Sequence, residues 1–194
     1  MRSQVYPHEE DTLSTIAQTQ TKLPAGTWSI DPVHSQVGFA VDYMVGTFRG
    51  SFSPMAGTLA VADDGAAELN GSANVAGIKV QDENLAAHLL SPEFFDAERT
   101  PEITFAAEDI RRSGDDVTIN GALAIKGTTR PVELTGTITD PIEDAYGNER
   151  IGLTVETAID RTQFGLNWNL PLPNGKPALA NDVTVTAELF LVKG

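Results

Sequence analysis

Apolar residues at every second position, sustained through segment after segment, constrain this chain more than any other feature. Val37, Phe39, Val41 and Tyr43 alternate with Gln36, Gly38, Ala40 and Asp42. That is the spacing of a strand with one apolar face, because successive side chains of an extended backbone point to opposite sides. The spacing returns at Val117, Ile119, Leu123 and Ile125, at Val132, Leu134 and Ile138, and at Ile151, Leu153, Val155 and Ile159. It closes the chain at Val183, Val185, Ala187, Leu189 and Leu191, with shorter versions at Leu69, Ala73 and Val75 and at Ile103 and Phe105. Turn-forming clusters separate these runs: Asp63-Asp64-Gly65, Ser113 to Asp116, Gly127 to Pro131, and Tyr146-Gly147-Asn148. Connections this short make neighbouring strands antiparallel. About eight strands with one apolar face each must hide those faces, which a sandwich or a closed barrel does. Alternation alone does not choose between the two.

Two stretches break the pattern. In QDENLAAHLLSPEFFDAE, Asp82 stands where an N-cap belongs and Leu85, Leu89 and Leu90 follow at helical spacing. One short helix is predicted there, then a single turn through Ser91-Pro92 that carries Phe94 and Phe95. From Arg161 to Asp182 the prolines and asparagines exclude a regular central strand, while Phe164, Leu166 and Trp168 need burial. A long, partly packed loop is expected. Residues 1–24 lack any period and read as a flexible arm, leaving residues 25–194 as one domain.

Charge and composition narrow the function. Twenty-seven Asp and Glu against 13 Lys and Arg give a net charge of -14, which repels nucleic acid phosphates and anionic lipid head groups. With no cysteine there is no disulfide, no thiolate nucleophile and no cysteine-type zinc site. No apolar run reaches the roughly 18 residues a membrane helix needs, and the N-terminal residues carry acids where a signal peptide is apolar. A cytoplasmic protein, not integral to a membrane, is expected. Asp31, His34 and Ser35 have the residue types of a hydrolytic triad, but crowded into five residues at a strand entry they fit a capping cluster better. His8, His34 and His88 are too scattered to hold a metal, and Glu93, Asp96 and Glu98 fit a solvated helix end. No catalytic residue, metal or cofactor is therefore assigned.

The aromatic residues remain. Their default place is the core, yet an eight-stranded barrel is either filled by side chains or hollow enough for one ligand. Small residues at interior positions, among them Ala40, Gly71, Ala73, Gly121, Ala122, Gly136 and Ala187, suggest space, although they also suit barrel corners and bulges.

The blocks TWSIDPVHSQVGFAV, GTFRGSFSPMAGTL, HLLSPEFFDAERTPEITF, GALAIKGTTRPVEL, AIDRTQFGLNW and LANDVTVTAELFLVK, in this order, resemble the YceI family of lipocalin-like polyisoprenoid-binding proteins. The resemblance spans residues 27–193, with HLLSPEFFD and DRTQFG as its most specific parts. It departs at Asp42-Tyr43-Met44, where the family often has a histidine. It implies an all-β fold, an extended eight-stranded antiparallel lipocalin-like barrel with a short helix near one end, around a long apolar cavity. The ligand it implies is an isoprenoid lipid of the quinone or polyprenyl phosphate type.

On that reading Phe94 and Phe95 close and line the barrel. Phe39, Val41, Phe48 and Phe52 would supply apolar contact from the first strands, with Leu89 from the helix. Phe105, Leu123, Leu134, Leu153 and Trp168 would complete the lining. A polar head near the mouth would meet His88, Arg130 or Arg161. Two other functions compete: an enzyme acting on such a lipid through His34 or the Asp96 and Glu98 carboxylates, and a filled barrel working through its surface. Homodimerisation through a strand edge is left open.

Overall fold

The computed structural model describes residues 21–194, so the first twenty residues of the expected arm lie outside the described part. Thr21 to Pro24 are held against the barrel. Thr21 N–H donates to the Arg112 carbonyl (3.0 Å), Thr21 Oγ1 accepts from Gly114 N–H (2.9 Å), and Leu23 packs on the core.

The strands in chain order are β1 (Gly26–Ile30), β2 (Gln36–Tyr43), β3 (Gly46–Phe52), β4 (Met55–Val61), β5 (Ala67–Asn74) and β6 (Ile78–Lys79). The helix α1 (Glu83–Leu90) follows, capped by Asp82 Oδ1, which accepts from Leu85 N–H at 2.8 Å. Then come β7 (Glu102–Ser113), β8 (Asp116–Ile125), β9 (Thr128–Ile138), β10 (Ile142–Glu143), β11 (Glu149–Asp160) and β12 (Leu179–Lys193). Val75, expected on a strand, instead sits in a 3-10 turn whose entry Asn74 caps with its side chain.

Eight of these strands close an antiparallel barrel in the order β1-β4-β5-β7-β8-β9-β11-β12, the β12 to β1 pairing completing the ring. Closure removes edges that would otherwise pair with other chains. The seam between β11 and β12 runs from Arg150 opposite Val192 to Asp160 opposite Asp182. The other edge of β12 is shared. Its last residues pair with β1, while Leu179 to Glu188 pair with β2, which continues into β3 and β6. Beside this second layer, α1 and the turn after it carry Leu89, Phe94 and Phe95 into the core. The Phe95 ring meets Phe52 edge-on at 5.5 Å.

β12 starts earlier than alternation suggests, at Leu179 rather than Val183. The Asn169 side chain accepts from Leu179 N–H (3.0 Å) and donates to the Leu179 carbonyl (2.7 Å), taking the place of a neighbouring strand. A bulge between Leu179 and Val183 absorbs the change of register.

The barrel is solid at one end and hollow at the other. Trp28, Leu59, Ile119, Ile138, Ile151, Leu153 and Leu191 are all but fully buried and fill the end formed by β1, β4 and the facing ends of β8, β9, β11 and β12. Further along the same strands the side chains no longer meet across the axis.

Candidate functional site

The hollow end encloses a cavity of about 400 Å³, within the range typical of small-molecule sites. The boundary between solid and hollow can be read along single strands. On β11, Ile151 and Leu153 belong to the packed end, whereas Val155, Thr157 and Ile159 line the cavity. On β12 the change falls between Leu191 and Leu189, after which Ala187, Val185, Val183 and Leu179 all face the space. Apart from Tyr43, Ser72, His88, Thr104, Thr157 and Arg161, every lining residue is apolar or glycine. Among the described residues, no Asp or Glu takes part.

Phe39, Val41, Phe48 and Phe52 line one wall from β2 and β3, where the Phe39 ring lies 5.8 Å from Phe48 and 5.7 Å from Phe52. Phe39 has room because its cross-strand partner is Gly50. A β-carbon there would come within 2.5 Å of the ring. Phe105 covers Gly121 in the same way. Some of the small residues are therefore platforms for aromatic rings and not empty space, while Gly71, Ala73 and Ala187 do line the cavity. Gly136 has another role, its missing side chain allowing close approach of the β11 backbone at Thr154. Leu123 and Leu134 line the wall made by β8 and β9.

Leu89, Phe94, Phe95, His88 and Trp168 gather at the α1 side. His88 meets Phe94 edge-on at 5.1 Å and Trp168 at 5.2 Å, and its Nε2 lies 2.8 Å from Glu93 Oε2. The turn that brings Phe94 and Phe95 inward is fixed by the Ser91 carbonyl, which accepts from Phe94 and Asp96 N–H at 3.0 and 2.9 Å. Asp96 adopts the left-handed conformation (φ 53°) to reverse the chain.

Arg161 is buried and lines the cavity. Its guanidinium is occupied by the loop that carries Trp168. Nε donates to the Ala180 carbonyl (2.8 Å), and Nη1 to the carbonyls of Leu166 and Trp168. Nη2 makes only long contacts, 3.5 Å each, to the Leu179 carbonyl and Asn181 Oδ1. Burial lowers its pKa from the ordinary arginine value, and the nearby Asp160 charge partly opposes this. An arginine so held stays charged, which gives the cavity a cation without a carboxylate ion partner among the described residues.

Two expected site residues fall elsewhere. Leu153 lies in the packed end, one strand repeat short of the cavity. Arg130 pairs with inward-facing Leu123 across β8 and β9, yet its charged head turns to solvent at the barrel end and donates to the Gln163 carbonyl (3.2 Å). Desolvating that charge without a partner costs more than leaving it outside. The residues weighed for catalysis are also outside the lining. His34 is exposed and bonded to Asp31 (2.8 Å), Ser35 Oγ accepts from Phe190 N–H (2.9 Å), and Asp96 faces Arg99. Glu98 is exposed.

Lining residues missed by sequence reading include Tyr43, Ile125, Val155, Ile159, Leu179, Val183 and Val185. The signal for most was present, since they continue by steps of two the faces that hold the expected residues.

The YceI-like domain model matches residues 28–191. The chain belongs to the YceI family. Protein YceI of Salmonella arizonae is 26% identical over 164 residues, 82% of this chain and 86% of that protein. The crystal structure of Burkholderia cenocepacia BcnA superposes with a TM-score of 0.68 at 20% identity, over 83% of this chain and 98% of the other. A polyisoprenoid binding domain from Saccharophagus degradans, implicated in plant cell wall breakdown, gives 0.60 at 13% identity, over 86% and 98%. At these identities the two structures establish the shared barrel. Among the described residues, no helix of this YceI protein is long and apolar enough to cross a membrane.

Proposed function

We propose that this YceI protein binds and carries an isoprenoid lipid, with the tail in the barrel cavity and the head toward His88 and Arg161. The observation that carries the reading is the cavity itself: about 400 Å³, walled almost wholly by apolar side chains, in a barrel whose other half is packed solid. A cavity lined mostly by aliphatic and phenyl groups, with Tyr43, Ser72, His88, Thr104, Thr157 and Arg161 as its polar members, offers a sugar or a nucleotide too few partners for its many hydroxyls or phosphates. It suits a flexible hydrocarbon chain, whose affinity comes from apolar contact. The polyisoprenoid-binding name of the Saccharophagus degradans domain supports the isoprenoid class. In this reading Phe39, Val41, Phe48, Phe52, Leu89, Phe94, Phe95, Phe105, Leu123, Leu134 and Trp168 contact the tail.

The reading treats the protein as a carrier and not an enzyme, needs no bound cofactor or second subunit, and places it in the cytoplasm, which cell fractionation tests. Titration with a long-chain ubiquinone and with a polyprenyl phosphate tests the binding itself. Trp168 lies in the wall and Trp28 in the packed end, so a quinone in the cavity quenches mainly Trp168. Saturable quenching that a Trp168→Phe variant loses supports the reading. Fluorescence unchanged by the quinone, together with no binding of the polyprenyl phosphate by native mass spectrometry, opposes it.

A further inference from the structure

We propose that the end of the barrel bearing the β2–β3 turn docks on a phospholipid bilayer surface. The inference extends the carrier reading, but rests on surface features the cavity does not explain. The turn consists of Met44 and Val45, between Tyr43 and Gly46 paired across the hairpin. Met44 holds φ 52°, a conformation that hairpin turns usually give to Gly, Asn or Asp. Here the strained position goes to an apolar side chain 53% exposed, and the next, Val45, is exposed completely. Neither packs on the core.

The turn is tied to a second exposed apolar residue. Met44 N–H donates to the Ala178 carbonyl (2.7 Å) and Ala178 N–H to the Leu170 carbonyl (2.9 Å), and Leu170 is 49% exposed. Tyr43 joins this rim to the cavity, since it is partly exposed and also lines the interior, opposite cavity-lining Leu179. A bilayer surface is where such a rim gains by burial and where an apolar cargo enters or leaves without crossing water.

Charge points the same way. Around this end Arg49, Lys126, Arg130 and Lys176 have no carboxylate within ion-pair distance among the described residues. The acids there are partly engaged: Asp42 accepts from Thr47, Asp160 caps Thr162, and Glu93 meets His88. Glu98, Glu102 and Asp182 remain exposed. At the solid end Arg112 pairs with Asp140, Arg150 with Asp31 and Asp144, and Lys193 with Glu149, which leaves the exposed Lys22 as the unpaired cation among the described residues there. In a chain of net charge -14, the hairpin end thus offers anionic head groups several cations that no carboxylate neutralises, Lys126 and Arg130 donating only to backbone carbonyls. The solid end also exposes Val33, Ile142, Tyr146 and Phe190, but the packed core separates them from the cavity.

The test is sedimentation of the full chain with vesicles of phosphatidylcholine, and of phosphatidylcholine mixed with phosphatidylglycerol. The wild type is expected to sediment with vesicles, more strongly with the anionic mixture and less at high salt. Met44→Asn combined with Val45→Asp is expected to lower partitioning at least about tenfold. Asn accepts a positive φ more readily than Met, so an unchanged or raised Tm excludes unfolding as the cause. Leu170→Asp should weaken binding too, and Ile142→Asp, at the solid end, should leave it unchanged. Failure of the wild type to sediment with either vesicle overturns the proposal and leaves the rim to a protein partner. Equal partitioning of the hairpin variant, or loss on Ile142→Asp, also overturns it. Vesicle binding by a protein that takes up no isoprenoid would uphold docking and count against the carrier reading alone.

Discussion

Phe94 and Trp168 hold their ring centres 5.2 Å apart at the α1 side of the cavity, one on the turn after the helix and the other on the loop before β12. Separate segments thus form one lid, with His88 edge-on to both rings. Replacing either aromatic residue by Ala removes burial worth roughly 2 kcal/mol from lid and ligand together. Phe94→Ala and Trp168→Ala should each weaken lipid affinity by about tenfold or more, mostly through faster release. Stopped-flow release into acceptor vesicles measures this. Release as slow as wild type would show that the rings do not close the site.

Arg161 supports the lid from beneath. Its removal leaves the buried carbonyl of Leu166 and the part-buried carbonyls of Trp168 and Ala180 without this donor, at a cost of roughly 3 kcal/mol. Arg161→Met should lower Tm on the order of 10 °C. Arg161→Lys should recover little, because a compact ammonium cannot span carbonyls that a planar guanidinium reaches in several directions. Calorimetry of both variants is the check, and full rescue by Lys would contradict the geometry.

Gly50 decides where Phe39 lies. A β-carbon at Gly50 meets the ring at 2.5 Å and Val80 at 3.0 Å, so Gly50→Ala should push Phe39 into the cavity. Stability should fall by about 1 kcal/mol, and lipid capacity should fall with it. Adding Phe39→Ala to Gly50→Ala should restore binding. A titration in which the double variant binds no better than Gly50→Ala would rule out ring displacement.

At the solid end Arg150 bridges Asp31 and Asp144 at 3.0 and 2.6 Å. Asp31 is held well below the usual carboxylate range by its hydrogen bond to His34, and next by Arg150. Asp144 is lowered first by Arg150 and then by Asn148. Depressed carboxylate pKa values stabilise the fold above the unfolded value of 3.8, and this contribution is lost as pH falls below it. Arg150→Met should therefore be less stable than wild type at neutral pH, and the Tm gap should narrow as pH drops from about 5 to about 2. A gap independent of pH would mean that the ion pairs contribute nothing.

The barrel was legible in the sequence because a two-residue period leaves a strand little choice about which face it buries. The spacing of Val183, Val185, Ala187, Leu189 and Leu191 alone assigns them to one face of β12. What periodicity cannot carry is depth along the barrel axis. Leu153 and Val155 are equivalent by spacing, yet one packs against the solid end and the other faces the cavity. Small residues carry a related ambiguity, since Gly121 suggests space by its size, yet the Phe105 ring lies across it. Arg130 and Arg161 were equal candidates for the head group. They part because one ends at the solvent and the other is enclosed by loop carbonyls that only the tertiary structure supplies.

The most direct test of the carrier account is native mass spectrometry of the purified full chain, followed by organic extraction and identification of whatever it holds. The account predicts one lipid of several isoprene units per chain, either retained from the cell or taken up from added quinone or polyprenyl phosphate. A bare protein mass that neither lipid class changes would contradict it.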